Sequence, residues 1–368
     1  MVDATAAVRP APASPAAPET VSGGTRGARA RVARLAPWSI AGGVLALALL
    51  TGALVGPAGL TPTGVLLELL DALPGVSMDS GLSPQQQAIL WQIRLPRVVL
   101  GAVVGAALAV SGAAYQGVFR NPLADPYLLG VSSGAGLGAT IALVQGGTIG
   151  QFGVPVFAFV GGLLAVAATY TLGNTVGGGR SSAVIVLAGV AVAAFVNAVQ
   201  TFVQQRHDES LLAVYSWMLG RLSTNGWTDV LVVLPYVGVS SLILLLHRRT
   251  LDVLAVGEVE AASLGVDVGR VRLVLVLTAT LGTAAVVSVS GLIGFVGIIV
   301  PHAVRLMFGS VHRLLLPLSM LFGAGFLVLT DVVARSVLAP SELPIGVVTA
   351  MLGAPFFLLV LRRNRVRA

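Results

Sequence analysis

The side chains that could carry chemistry are few, and they are poorly arranged for catalysis. Four histidines, His207, His247, His302 and His312, are scattered without metal-ligand spacing. The sequence has no cysteine, which removes thiolate metal ligands, cysteine nucleophiles and disulfides. It also has no lysine, so all 22 basic residues are arginine. A phosphate loop of the Walker type needs its lysine on the β- and γ-phosphates, so the chain is not its own P-loop ATPase. No pair of carboxylates falls within an apolar run, as two-carboxylate hydrolysis requires. An ion-coupled carrier buries an acid or a histidine at mid-membrane, and a membrane-embedded enzyme shows converging polar residues. Asp331 stands out in runs that are nearly free of acids, and with Arg335 four residues on it reads as a helical i,i+4 pair. The arginines remain. "ILWQIRLPRVVLG" sets Arg94 and Arg97 at the entrance of a long apolar run.

The elements that must position these charges are membrane helices. The chain of 368 residues is 56% hydrophobic and 10% charged, with a mean hydropathy of +0.92. Soluble domains carry roughly 25% charged residues, and apolar runs of about 20 residues span a bilayer. Spans are expected near 38–57, 98–119, 127–145, 152–173, 183–204, 228–246, 271–291, 294–308, 314–334 and 344–361. The break "SGLIGFVG" between the seventh and eighth is itself apolar. Residues 1–37, rich in Ala, Pro, Gly and Arg, read as a disordered cytoplasmic tail. The transmembrane body is then 38–363, with a short cytoplasmic end at 364–368. "PTGVLLELLDAL" has an amphipathic pattern suited to the membrane surface.

Arginine placement orients the helices, because cytoplasmic loops carry the positive excess. With both termini cytoplasmic, that side holds Arg120, Arg180, Arg248, Arg249, Arg270, Arg272, Arg305, Arg313 and the arginines of "LRRNRVRA". Arg94, Arg97, Arg206, Arg221 and Arg335 fall on the outer side. The net charge of +7 then fits cytoplasmic loops and anionic lipid, not nucleic acid. Small residues recur every four positions at Gly101, Gly105, Ala109, Ala113 and Gly117, and again at Gly130, Gly134, Gly138 and Ala142. Such stripes allow close helix packing within a chain or along a dimer seam. "AVSGAAYQGVFRNP" and "SVSGLIGFVGIIVP" share a Ser-Gly offset in oppositely directed spans, which suggests an inverted repeat of five plus five helices.

"IRLPRVVLGAVVGAALAVSGAAYQGVFRNPLADPYLLGVSSGAG" resembles the signature region of the FecCD-type permeases of ABC importers. "LAGVAVAAFVNA", "SGLIGFVGIIVPHAVRL" and "ARSVLAPSELPIGVVTAMLGAPFF" extend the resemblance over roughly 38–363. It implies an all-α fold of the type II ABC importer class, with ten helices per subunit, and a homodimer. It further implies two cytoplasmic ATPase subunits that use the ATP, an extracytoplasmic binding protein and no cofactor or metal held by this chain. The cargo would be an iron-siderophore first, or haem or cobalamin, moved by alternating access between subunits along helices five and ten. By the same resemblance Arg94, Arg97 and Arg335 pair with glutamates of the binding protein, as bidentate arginines can. Apart from the resemblance, they could simply snorkel to headgroups. Asn121 and Leu123 in "RNPLADP", with Ser181 and Ser182 in "GGGRSS", match the cytoplasmic gate. Glu258, Glu260, Leu264 and Gly265 match the ATPase-coupling segment, where "EAASLG" already reads as a short helix ended by glycine.

Overall fold

The structure is a computed structural model and describes residues 23–146, 152–177, 182–223 and 225–365. Those residues are helical or loop, with no strand among them. In chain order the helices are α1 (Gly23–Leu54), α2 (Pro62–Asp71), α3 (Pro84–Ile89), α4 (Leu95–Phe119), α5 (Val131–Val144), α6 (Gly153–Gly177), α7 (Ser182–Gln205) and α8 (Leu211–Met218). They continue as α9 (Trp227–Leu246), α10 (Arg248–Val256), α11 (Glu258–Ser263), α12 (Val268–Ser290), α13 (Val296–Phe308), α14 (His312–Ser336) and α15 (Ile345–Arg365).

Seven helical stretches are long and apolar enough to cross a membrane, and the apolar helices Val131–Val144, Val296–Phe308 and Ile345–Leu358 are shorter. Together they occupy the ten expected positions. α1 begins at Gly23, ahead of the expected start at 38, so part of the stretch read as a disordered tail is helical. Its "GARARVARLA" is made largely of strong helix formers. Residues 1–22 and 366–368 lie outside the described residues, as do Arg180 and Ser181.

α4 and α12 are the most enclosed spans, and α4 packs against α14, α12, α13 and α9. The small-residue stripes serve this packing within the chain. A β-carbon on Gly105 would strike the carbonyl of Gly323 in α14, and one on Gly134 would strike that of Gly161 in α6. Gly112 lies equally close to Gly297 at the start of α13. The two Ser-Gly pairs of the suspected repeat stand in different local structure. Ser111 and Gly112 are inside α4, whereas Ser290 closes α12 and Gly291 caps it with φ +67°.

α2 is the short amphipathic helix expected after the first span. Thr61 accepts a hydrogen bond from the Gly64 amide as its N-cap, with Pro62 at the first helical position. α3 opens with a capping box, in which Ser83 and Gln86 bond each other's backbone amides. A single π-turn, Leu90–Arg94, then joins α3 to α4.

Candidate functional site

The arginines that the sequence singles out lie in two clusters at opposite ends of the bundle. The first is built by the π-turn, which rotates Arg94 inward toward the end of α1. Its guanidinium donates to the carbonyls of Ala53 at 3.2 Å and Leu54 at 3.5 Å. One turn on, Arg97 is held by two carboxylates. Its Nε and Nη2 donate to Asp331 at 3.1 and 2.8 Å. Its Nη1 and Nη2 grip Oε1 and Oε2 of Glu342, each at 2.8 Å. Arg335 donates to the carbonyl of Gly52 at 2.6 Å and meets Asp331 as an ion pair at 3.6 Å. The predicted i,i+4 pair is therefore present, but Asp331 serves Arg97 as its closer partner.

Arg94, Arg335 and Asp331 are 4%, 3% and 2% exposed, so they are interior groups and do not reach for headgroups. Within this chain the arginines tie α1, α4 and α14 together. The outermost member is Glu342, whose side chain is 43% exposed on the loop before α15. The Arg97 fork holds the Glu342 carboxylate below the usual range, and partial burial opposes that shift. Sequence reasoning missed Glu342. Its only signal is the acid of "SELPIG" in a segment otherwise apolar.

The second cluster surrounds the end of α4. Arg120 caps that helix in the left-handed region at φ +49°, and Pro122 prevents its continuation. Asn121 accepts a hydrogen bond from the Leu123 amide at 2.9 Å, fixing the turn that carries both predicted gate residues. Leu123 is exposed. The loop then folds back into the protein. Asp125 accepts from the Tyr127 amide at 2.9 Å, and the Tyr127 hydroxyl bonds both the amide and the carbonyl of Ile293, at 3.2 and 3.1 Å. Asp125 itself is 8% exposed and lies against Gly297 in the first turn of α13. The loop after α4 is thus pinned to the break between α12 and α13. That break, residues 291–295, is where sequence periodicity gave no boundary. Gln116 adds a further tie, donating to the Gly297 carbonyl at 3.0 Å and accepting from Arg305 at 2.9 Å.

The α11 segment sits beside this loop. α11 ends in paired reverse hydrogen bonds, Val266 amide to Ala261 carbonyl and Gly265 amide to Ala262 carbonyl, with Gly265 at φ +82°. That is the Schellman arrangement, and it satisfies the last carbonyls of a short helix. Glu258 bonds Arg272 of α12 at 2.5 Å and lies 3.7 Å from Arg120. Glu258, Glu260, Arg120, Asn121, Leu128 and Ala183 line one polar groove. The structure therefore brings Asn121 together with Glu258 and Glu260, which the sequence placed in separate motifs. Leu264 points outward beside them and is exposed. Ser182 is the first residue of α7, whereas Ser181 lies outside the described residues.

α7 and α15, the fifth and tenth apolar helices, leave large apolar side chains uncovered in the single chain, among them Leu187, Phe195, Met351 and Leu358. Among the described residues no group of three or more His, Cys, Asp or Glu could hold a metal ion. The described residues assemble two charged ends and a bundle with bare apolar faces.

The profile of the FecCD transport family matches residues 44–363. The cobalamin import system permease protein BtuC of Halobacterium salinarum is 42% identical over 367 residues, covering 91% of this chain and 98% of that one. The hemin transport system permease protein HmuU of Yersinia pestis is 40% identical over 287 residues, with coverage of 75% and 84%. A metal-chelate-type ABC transporter solved in an inward-facing conformation superposes with a TM-score of 0.75 at 31% identity, covering 88% of this chain and 99% of that one.

Proposed function

The chain belongs to the FecCD transport family, and on that premise we propose that it is one of two identical permease subunits moving a metal chelate inward by alternating access. The cargo is an iron-siderophore, haem or cobalamin. The observation that carries this reading is the family match across residues 44–363 of a chain that lacks any lysine for a phosphate loop. Both termini and the Arg120 cluster face the cytoplasm, and the Arg97 cluster faces outward, where a binding protein delivers the cargo. Two cytoplasmic ATPase subunits seat on α11 and its neighbours. Each stroke passes through Glu258 and Glu260 to the gate, which Asn121, Leu123, Ser181 and Ser182 form. The pathway runs between the uncovered faces of α7 and α15 in the two subunits.

The test is reconstitution. The purified chain alone is expected to hydrolyse no ATP. In proteoliposomes with the ATPase and binding protein encoded in the same genome, it should import one of three labelled chelates: cobalamin, hemin or an iron-siderophore. ATP hydrolysis by the lone chain would overturn the reading. So would uptake driven by an ion gradient without the ATPase.

A second expectation concerns the end of α11. Space around Gly265 is open, so only its backbone conformation restricts it. A side chain in the left-handed region costs about 1–2 kcal/mol, least for Asn. Gly265→Val should lower chelate imported per ATP several-fold, whereas Gly265→Asn should stay near wild type. Equal coupling in both variants would remove the α11 end from the transmission path.

A further inference from the structure

Arg97 is bonded by two carboxylates that differ in kind. Asp331 is buried in α14, with a side chain only 3% exposed, and it holds the Nε edge of the guanidinium. Glu342 holds the outward end in a two-pronged grip, yet its own side chain is 43% exposed and sits on a loop. Asp331 therefore fixes where the guanidinium points, and Glu342 occupies the face that a visitor would meet. Only the Glu342 end of this pair is open to water, which competes for its carboxylate, while the guanidinium is 13% exposed. A carboxylate arriving on another protein has the same chemistry and would exclude that water.

The loop has a second property. Leu343 donates to the Ala334 carbonyl at 2.9 Å, and Ile345 and Gly346 donate to Gly220 and Leu219 at 3.3 and 3.0 Å. Three residues after Glu342 the chain enters α15, one of the two helices with a bare apolar face. Whatever moves Glu342 therefore acts at the root of α15.

We propose that Glu342 is an internal stand-in for a partner carboxylate: an acidic side chain of the docking protein displaces it from Arg97, and the freed loop loosens the start of α15. This rests on the docking reading given above and adds the exchange to it. Arg97 remains charged throughout and Asp331 keeps it aimed, so one carboxylate leaves for water as another arrives and the guanidinium is never left unpaired. The same contact keeps the outer end closed to weaker acidic surfaces, which cannot outcompete a tethered glutamate.

The test uses the full chain with its ATPase in nanodiscs and the binding protein encoded in the same genome. Glu342→Gln should tighten docking by about two- to fivefold, because the exposed internal pair is no longer in competition. Glu342→Asp keeps the charge but shortens the reach, so it should tighten docking as well, whereas simple relief of charge repulsion predicts no change in that variant. Arg97→Gln should weaken docking at least about tenfold, and Glu342→Gln should add nothing in the Arg97→Gln background. The absence of native cysteine allows a single nitroxide label at Ser341→Cys. Its spectrum should become mobile in Glu342→Gln alone, and in wild type only when the binding protein is present. If Arg97→Gln weakens docking but both Glu342 variants leave affinity and loop mobility unchanged, the stand-in is overturned and docking survives. If Arg97→Gln docks like wild type, the docking reading itself falls.

Discussion

Asp331→Ala is expected to destabilise the folded chain by roughly 3–5 kcal/mol, enough to abolish recovery of monodisperse protein from membranes. Asp331 is the carboxylate shared by Arg97 and Arg335, and both it and Arg335 are buried. Removing it leaves Arg335 with the Gly52 carbonyl alone, while Arg97 keeps Glu342. An uncompensated buried charge costs far more than a lost surface pair is worth. Asp331→Asn retains an acceptor and should be milder. Joint replacement of Asp331 and Arg335 by leucine should recover much of the loss, because Arg335 then no longer stands buried without its carboxylate. Thermal unfolding of the three variants in nanodiscs measures this. A midpoint for Asp331→Ala within a degree or two of wild type would show that the cluster does not hold α1, α4 and α14 together.

The second large effect is steric. Gly112→Val should prevent correct assembly, at a cost of at least about 3 kcal/mol, because a β-carbon there strikes the backbone of Gly297 and neither backbone can yield cheaply. Gly42→Val is the matched comparison. No heavy atom lies within 4 Å of a β-carbon at Gly42, so it should be close to neutral. Chelate uptake and thermal midpoint, measured side by side, check the pair. Comparable loss in both would mean that the membrane environment of any glycine matters more than its neighbours. Gly297 is also where Gln116 of α4 and Asp125 of the loop after it meet α13.

Much of this was legible in the sequence because hydropathy is a local property. The ten apolar helices follow from runs of apolar residues, and α11 with its glycine end follows from "EAASLG". The small-residue stripes announced close packing, though not which helices would meet. The arginine pattern separated two ends of the bundle without revealing what the arginines touch. Arg97 and Glu342 are 245 residues apart, and Tyr127 and Ile293 are 166 apart. Such pairs depend on the tertiary fold, and no window of sequence contains them. Asp125 was hidden for a related reason. It lies in a proline-flanked loop that looks polar and superficial, yet the loop turns back and buries it. The break after α12 was illegible because its residues are as apolar as the helices on either side, and only the backbone at Gly291 and Phe295, with φ +67° and +69°, marks it.

The short helices bear on how the chain enters a bilayer at all. α5 has 14 residues and α13 has 13, so each extends about 20 Å at 1.5 Å per residue, against roughly 30 Å of hydrocarbon. Released singly into lipid, either would leave loop backbone unsatisfied at its ends, at several kcal/mol for each bare group. The missing bonds come from elsewhere: the Tyr127 hydroxyl serves Ile293, Gln116 serves Gly297, and the Ser290 carbonyl takes the Arg221 amide. Biogenesis of this protein therefore cannot proceed as ten independent insertion events. α13 is expected to settle only once α4, α12 and the loop after α4 are in place to receive it.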